Sequence, residues 1–278
     1  MAKPQPQPRA PLAARRPGQP TTVVRVGEVA FGGPRVVLIG GPCAVEDRAQ
    51  ILASAEQALA AGATMLRGGA WKPRTSPYDF QGLGPAGLEL LAEARRRTGL
   101  PVVTEVLDPR DVAQVAAGAD MLQIGSRSVQ NFPLLREVGA SGKPVLLKRG
   151  MMTTIDEWLS AAEHVLAAGG RDLVFCERGI RTFEPALRNT LDLGSVVVLK
   201  ERTHLPVIVD PSHAAGDARY VLALARAAVA AGADGLLVET HWHPTEALSD
   251  AGQSLDAAAF AELAAACRAV ARAVGRDL

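Results

Sequence analysis

Charge of one sign is nearly absent as an excess: 30 Lys and Arg stand against 29 Asp and Glu, a net of +1 over 278 residues. So close a balance gives no electrostatic footprint for nucleic acid or for an anionic membrane. Aromatic residues make up only 4%, which removes base-stacking surfaces as well. The three cysteines, Cys43, Cys176 and Cys267, include no Cys-x-x-Cys pair. A set this sparse and odd is neither a disulfide framework nor a structural zinc site, and it fits a reducing, cytoplasmic setting. No apolar run is long enough to span a bilayer, and the start has no signal-peptide pattern. The first strand–helix turn also lacks the Gly-x-Gly-x-x-Gly fingerprint, which counts against a doubly wound dinucleotide-binding sheet.

The residues present are those of an ordinary globular chain, 48% hydrophobic and 21% charged. Residues 1–20 hold six prolines and four basic residues without an acid, a composition that reads as a disordered tail. Residues 21–35 alternate partly and end at Gly32–Gly33–Pro34, as a small hairpin would. From residue 36 to 278 a rhythm sets in. Short apolar runs at 36–40, 63–67, 101–105, 120–124, 144–148, 172–176, 206–210 and 234–239 alternate with Ala- and Leu-rich stretches of helical spacing. Continuous apolar strands separated by helices imply parallel strands buried on both faces. Eight such units predict an α/β fold of the (β/α)8 TIM barrel type with a short N-terminal β-hairpin.

In such a barrel the chemistry sits where strands end and βα loops begin. The stretch from Leu66 to Pro77, LRGGAWKPRTSP, follows the second run and holds Arg67, Lys72, Arg74, Thr75 and Ser76 with no acid. Cations with short hydroxyls make a receptor for carboxylate or phosphate; the plain alternative is a solvated basic loop. The other strand ends carry Glu105, Gln123 and Arg127, Lys148 and Arg149, Glu177 and Arg178, Asp210 and His213, and Glu239. All of them are expected to face one cavity, and its cations require anionic ligands.

Cys43, His213, Glu239 and Asp250 lie on loops the barrel would bring together. Thiolate, imidazole and carboxylates point to a divalent transition metal, Mn, Fe, Co or Zn, rather than Ca. Taken singly each has an ordinary reading, as a buried thiol or a helix cap. The segment Glu239–His243, ETHWH, offers a rival set in His241 and His243, for which a rim role is preferred.

The segments GPCAVE (41–46), LRGGAWKPRTSPYDFQGLG (66–84), IGSRSVQN (124–131), LLKRGM (146–151), CERGIRTFE (176–184), DPSH (210–213) and ALSDAGQSL (247–255) resemble 3-deoxy-D-arabino-heptulosonate 7-phosphate (DAHP) synthase, in its type I β-subgroup form. The resemblance implies a metal-dependent barrel enzyme. It would condense phosphoenolpyruvate with D-erythrose 4-phosphate, the first step of the shikimate pathway. By motif it implies Cys43, His213, Glu239 and Asp250 as ligands of one divalent metal ion. Arg67 and Lys72 match residues at the phosphoenolpyruvate carboxylate and the reacting centre, and Arg127, Lys148 and Arg178 its phosphate site. Arg74, Thr75 and Ser76 match the erythrose phosphate site, with Glu105, Gln123 and Asp210 lining the same cavity. Lys72, Arg67, Glu105 and Asp210 are the catalytic candidates. ETHWHP stands where the family commonly reads EVHP. The sister 3-deoxy-D-manno-octulosonate 8-phosphate synthases, which use arabinose 5-phosphate, are the enzymatic alternative, and KPRTS favours the four-carbon sugar. A non-catalytic barrel that binds a sugar phosphate is the other. The resemblance also implies a homodimer or homotetramer. With only about 35 residues before the barrel, a fused regulatory domain is not expected, nor is strong inhibition by Phe, Tyr or Trp.

Overall fold

The computed structural model describes residues 10–278. Strands β1 (Val24–Val26) and β2 (Val29–Phe31) pair antiparallel as the expected hairpin. The eight apolar runs then become β3 (Val37–Gly40), β4 (Met65–Arg67), β5 (Val102–Glu105), β6 (Met121–Ile124), β7 (Val145–Lys148), β8 (Leu173–Glu177), β9 (Val207–Val209) and β10 (Gly235–Leu237). They form a closed parallel barrel in sequence order, with β10 returning to β3 through Gly235↔Val37 and Leu237↔Ile39. The TIM barrel expectation is borne out.

Side-chain alternation divides each strand between two packings. Val37, Ile39, Met65, Val103, Met121, Leu146, Val174, Ile208 and Leu237 point into the lumen. Leu38, Leu66, Val102, Leu122, Leu147, Phe175 and Val209 point outward to the helices. Val24, Val26 and Phe31 of the hairpin join the lumen cluster. Thr22 N–H donates to His204 O just ahead of β9, so the hairpin closes the end where the strands begin. The other end is left for loops.

Outside the strands run α1 (Arg48–Ala60), α2 (Pro85–Thr98), α3 (Val112–Gly118), α4 (Phe132–Ala140), α5 (Ile155–Ala167), α6 (Leu193–Arg202), α7 (Pro211–Ala215), α8 (Ala218–Ala230) and α9 (Ala257–Ala273). Local chemistry fixes their starts. Thr154 and Glu157 form a reciprocal capping box on α5, and Asp47, Asp217 and Asp256 cap α1, α8 and α9. None of these helices is long and apolar enough to cross a membrane.

Residues 10–20, expected as part of a disordered tail, instead lie as a strap across α5 and the end of α6. Leu12 and Ala13 N–H groups donate to Glu163 at 2.9 and 3.0 Å, and Thr203 Oγ1 donates to Ala13 O at 2.5 Å. Ala13 is fully buried. Proline-rich composition cannot build a core, but here the segment borrows partners from helices already in place. The rest of that expected tail lies outside the described residues.

Candidate active site

At the open end β4 delivers Arg67, β5 Glu105, β6 Gln123 and β7 Lys148, each at or near the strand's last residue. Gly41 lets the first loop cross this rim. Its φ is +138°, and a side chain there would meet Arg67 O at 2.1 Å. Gly125 does the same for Glu105, whose Oε1 lies 1.8 Å from where a Cβ would stand.

A cavity of about 320 Å³ opens between the loops. Arg67, Lys72, Arg74, Arg127, Lys148 and Arg178 line it as expected, with Thr75, Glu105 and Gln123. Arg181 and Arg188 add two cations that the sequence reading did not single out. Arg181 lay within a quoted motif, three residues after Arg178, and could have been found by that; no local pattern marks Arg188. The acids lining the cavity are Asp79, Glu105 and Asp250, so cations outnumber them.

Asp210 and Glu239, expected to face this cavity, are fully buried in ion pairs with Lys148 and Arg67 and are absent from its wall, and Arg149 and Glu177 turn away from it. Arg149 NH1 bonds Glu177 Oε2 and Asp192 Oδ2, both at 2.9 Å, and its guanidinium lies 5.8 Å over Trp158. Each follows or precedes a cavity residue by one position, so strand alternation sends it to the opposite face. Ser76 also departs from its expected place. It accepts Tyr78 N–H within a local turn and is absent from the cavity wall. Arg74 points its Nε to Phe80 O at 3.1 Å, and one of its terminal nitrogens is buried without a partner among the described residues.

Arg178 is buried in the wall of this cavity. Both Nε and one terminal nitrogen have no partner among the described residues. Burial pulls its pKa below the usual arginine value, a sign of a cation without enough compensation. Lys148, by contrast, pairs with Asp210 Oδ2 at 2.5 Å.

Beside the cavity, ligand atoms of Cys43, His213, Glu239 and Asp250 all lie within 4.8 Å of one another. Asp210 caps α7 and accepts from His213 Nδ1 at 2.6 Å, which leaves Nε2 turned to Glu239 Oε1 at 3.3 Å. A histidine whose second nitrogen is held by a carboxylate is the arrangement metal sites use to fix tautomer and orientation. Burial lowers the pKa of His213 despite Asp210 and Glu239, favouring the neutral ring a ligand needs. Burial would raise Glu239, but the cationic surroundings outweigh it and hold the carboxyl low; Arg67 NH1 sits 2.5 Å away. Burial pushes the Cys43 thiol up to about 12, with Glu239 adding to it, and the thiol donates to Asp250 Oδ2 at 3.0 Å. A bound cation is what would turn that thiol into a thiolate ligand. The donor set therefore fits a divalent metal.

The rival set does not form. His241 Nδ1 accepts His243 N–H at 3.1 Å, and its Nε2 faces Glu46 at 3.4 Å. His243 lies against Trp242, ring centroids 4.5 Å apart.

A cationic cavity at the loop end of the barrel, adjoining a four-donor cluster, defines a class: a (β/α)8 enzyme of anionic substrates with a candidate metal centre. Its family follows from comparison with known proteins. The chain belongs to the DAHP synthetase I family, whose model matches residues 19–275. It is 50% identical over 254 residues to phospho-2-dehydro-3-deoxyheptonate aldolase of Thermotoga maritima, spanning 91% of this chain and 75% of that protein. A crystal structure of that enzyme superposes with a TM-score of 0.93 at 48% identity, over 96% of this chain and 78% of the other. A truncated form of the same synthase aligns with a TM-score of 0.90 at 44% identity, over 97% and 99%. A 2-dehydro-3-deoxyphosphooctonate aldolase of Syntrophotalea carbinolica is 35% identical over 84% of this chain and 90% of its own length. The family resemblance seen in the motifs is borne out.

Proposed function

We propose that the chain joins phosphoenolpyruvate to D-erythrose 4-phosphate, adding water and releasing phosphate to form DAHP. The observation that carries this reading is the buried Arg178 guanidinium with unpartnered nitrogens in a cavity where cations exceed acids. Such a site is stabilised by anions, and the two substrates bring two phosphates and a carboxylate.

Arg127, Lys148 and Arg178 hold the phosphate of phosphoenolpyruvate. Arg67 and Lys72 hold its carboxylate and flank the reacting carbons; Lys72 Nζ is fixed 2.9 Å from Cys43 O and Arg67 by Glu239. Arg74 and Thr75 at the mouth take the sugar phosphate. That arrangement aims the methylene carbon of phosphoenolpyruvate at the aldehyde carbon. Water then adds to the second carbon of phosphoenolpyruvate as positive charge develops there, and phosphate leaves by C–O cleavage. Glu105, held by Gln123 at 3.3 Å, and Lys72 are the groups in reach for proton movement at that centre. Asp210 acts by keeping His213 and Lys148 in place. Positioning two polyanions side by side contributes several kcal/mol, on the order of what oriented reactants gain.

Cys43, His213, Glu239 and Asp250 would hold one divalent metal, Mn, Fe, Co or Zn, which supplies Lewis acidity to the aldehyde oxygen. Three free, buried cysteines fit a reducing compartment such as the cytoplasm, and assembly into dimers or tetramers belongs to the same reading.

The test is phosphate release by metal-reconstituted protein. Erythrose 4-phosphate and arabinose 5-phosphate are offered in parallel, each with and without chelator. The expected result is turnover with erythrose 4-phosphate that a chelator abolishes. Preference for arabinose 5-phosphate would replace the sugar assignment, and no turnover across the four metals would sink the reading.

A further inference from the structure

We propose that Glu46 is a positioning residue for the metal centre, holding the Asp250 segment in register with Cys43; this rests on the metal reading above. Asp250 has φ +53°, the one non-glycine residue with positive φ among those described. That conformation is uncommon for a residue with a side chain, less so for aspartate, and the contacts around the loop are what hold it. Apolar packing does not do so here. The segment consists of two single turns, Pro244–Glu246 and Ala251–Gln253, and Leu248 between them is 57% exposed.

Polar ties take over that task. Leu248 N–H, two residues before Asp250, donates to Glu46 Oε1 at 2.9 Å. The other carboxyl oxygen of Glu46 faces His241 Nε2 at 3.4 Å, two residues after Glu239. Because His241 Nδ1 accepts from His243 N–H, its own proton sits on Nε2 and points at Glu46. Glu46 is three residues past Cys43 and is anchored in turn: its N–H donates to Gln50 Oε1, and Gln50 Nε2 to Ala44 O at 3.1 Å. One carboxyl group therefore joins the segments carrying Cys43, Glu239 and Asp250. His213 reaches the site independently, fixed by Asp210. The Glu46 side chain is only 8% exposed, and a carboxyl group is buried to that extent where partners hold it. This also gives His241, unused by the chemistry, a place in the site.

The readout is metal affinity of the full chain, using Co²⁺ alone. Metal-free parent, Glu46→Ala and Glu46→Gln are titrated against a competing chelator, with thiolate-to-Co²⁺ absorbance reporting occupancy. Glu46→Ala is expected to raise the Kd about tenfold. Glu46→Gln, whose amide oxygen still accepts from Leu248, falls between it and the parent. The metal-free unfolding midpoint stays that of the parent, while the upward shift on adding Co²⁺ shrinks. If the parent binds Co²⁺ and Glu46→Ala binds equally well, or Glu46→Gln is no tighter than Glu46→Ala, this proposal falls alone. If the parent shows no thiolate–Co²⁺ band, the metal reading falls with it. Should Glu46→Ala not fold, a Glu46→Gln Kd equal to the parent's overturns the proposal.

Discussion

At one mouth of the barrel Val24, Val26 and Phe31 fill the space between the strands; at the other the same strands end in Arg67, Glu105, Gln123 and Lys148. The closed mouth has what stability asks for, apolar side chains at zero to 2% exposure. The open mouth has what stability resists, a buried arginine with two nitrogens unpartnered among the described residues and a carboxyl–thiol–imidazole cluster. The strands carry both because their length separates the two environments. Cost at one end is offset by packing at the other and against the helices.

The comparison breaks most visibly if a residue of the closed mouth turns out to matter for catalysis. Phe31→Ala is expected to cost about 3–5 kcal/mol of stability, as for other buried aromatics cut to alanine. Denaturant unfolding measures that loss, while kcat/KM well below the melting temperature stays that of the parent. A large fall in kcat/KM without a loss of stability would show the two ends to be coupled. Arg178→Met tests the opposite mouth. Turnover should fall roughly 10²–10³-fold, the size seen when a preorganised electrostatic contact is removed. Stability should hold or rise, since an uncompensated buried charge has gone. A loss of stability with activity retained would make Arg178 structural after all. The smallest effect sharpens the contrast from neutral ground. Thr154→Ala removes the capping box of α5 and should cost about 1 kcal/mol, seen as a lowered melting temperature with unchanged turnover.

Much of this division was legible beforehand. Parallel strands buried on both faces must be apolar throughout, so all eight appeared as runs and their last residues could be named. The motifs then identified Cys43, His213, Glu239 and Asp250, which do converge. What escaped were features set by distant partners. Arg149 and Glu177 turn away from the cavity because each sits one position from a residue that faces it. Ser76 spends its hydroxyl on its own turn. Residues 10–20 gain their place from Glu163 and Thr203, more than 140 positions along the chain, as the Leu12 and Ala13 bonds span 151 and 190 residues. Arg188 reaches Asp250 and Gln253 across 62 and 65 residues, and nothing near it in sequence announces that.

The sequence by itself determined the barrel, the end that carries the candidate site and the family, because periodicity, strand-end charges and long motifs are local properties. Only the tertiary structure decided which charges share the cavity, which pair behind it, and what holds the Asp250 loop. Those outcomes depend on which side of a strand faces inward and on contacts between segments far apart in the chain, and burial makes each such pairing matter by removing the water that would otherwise substitute for it.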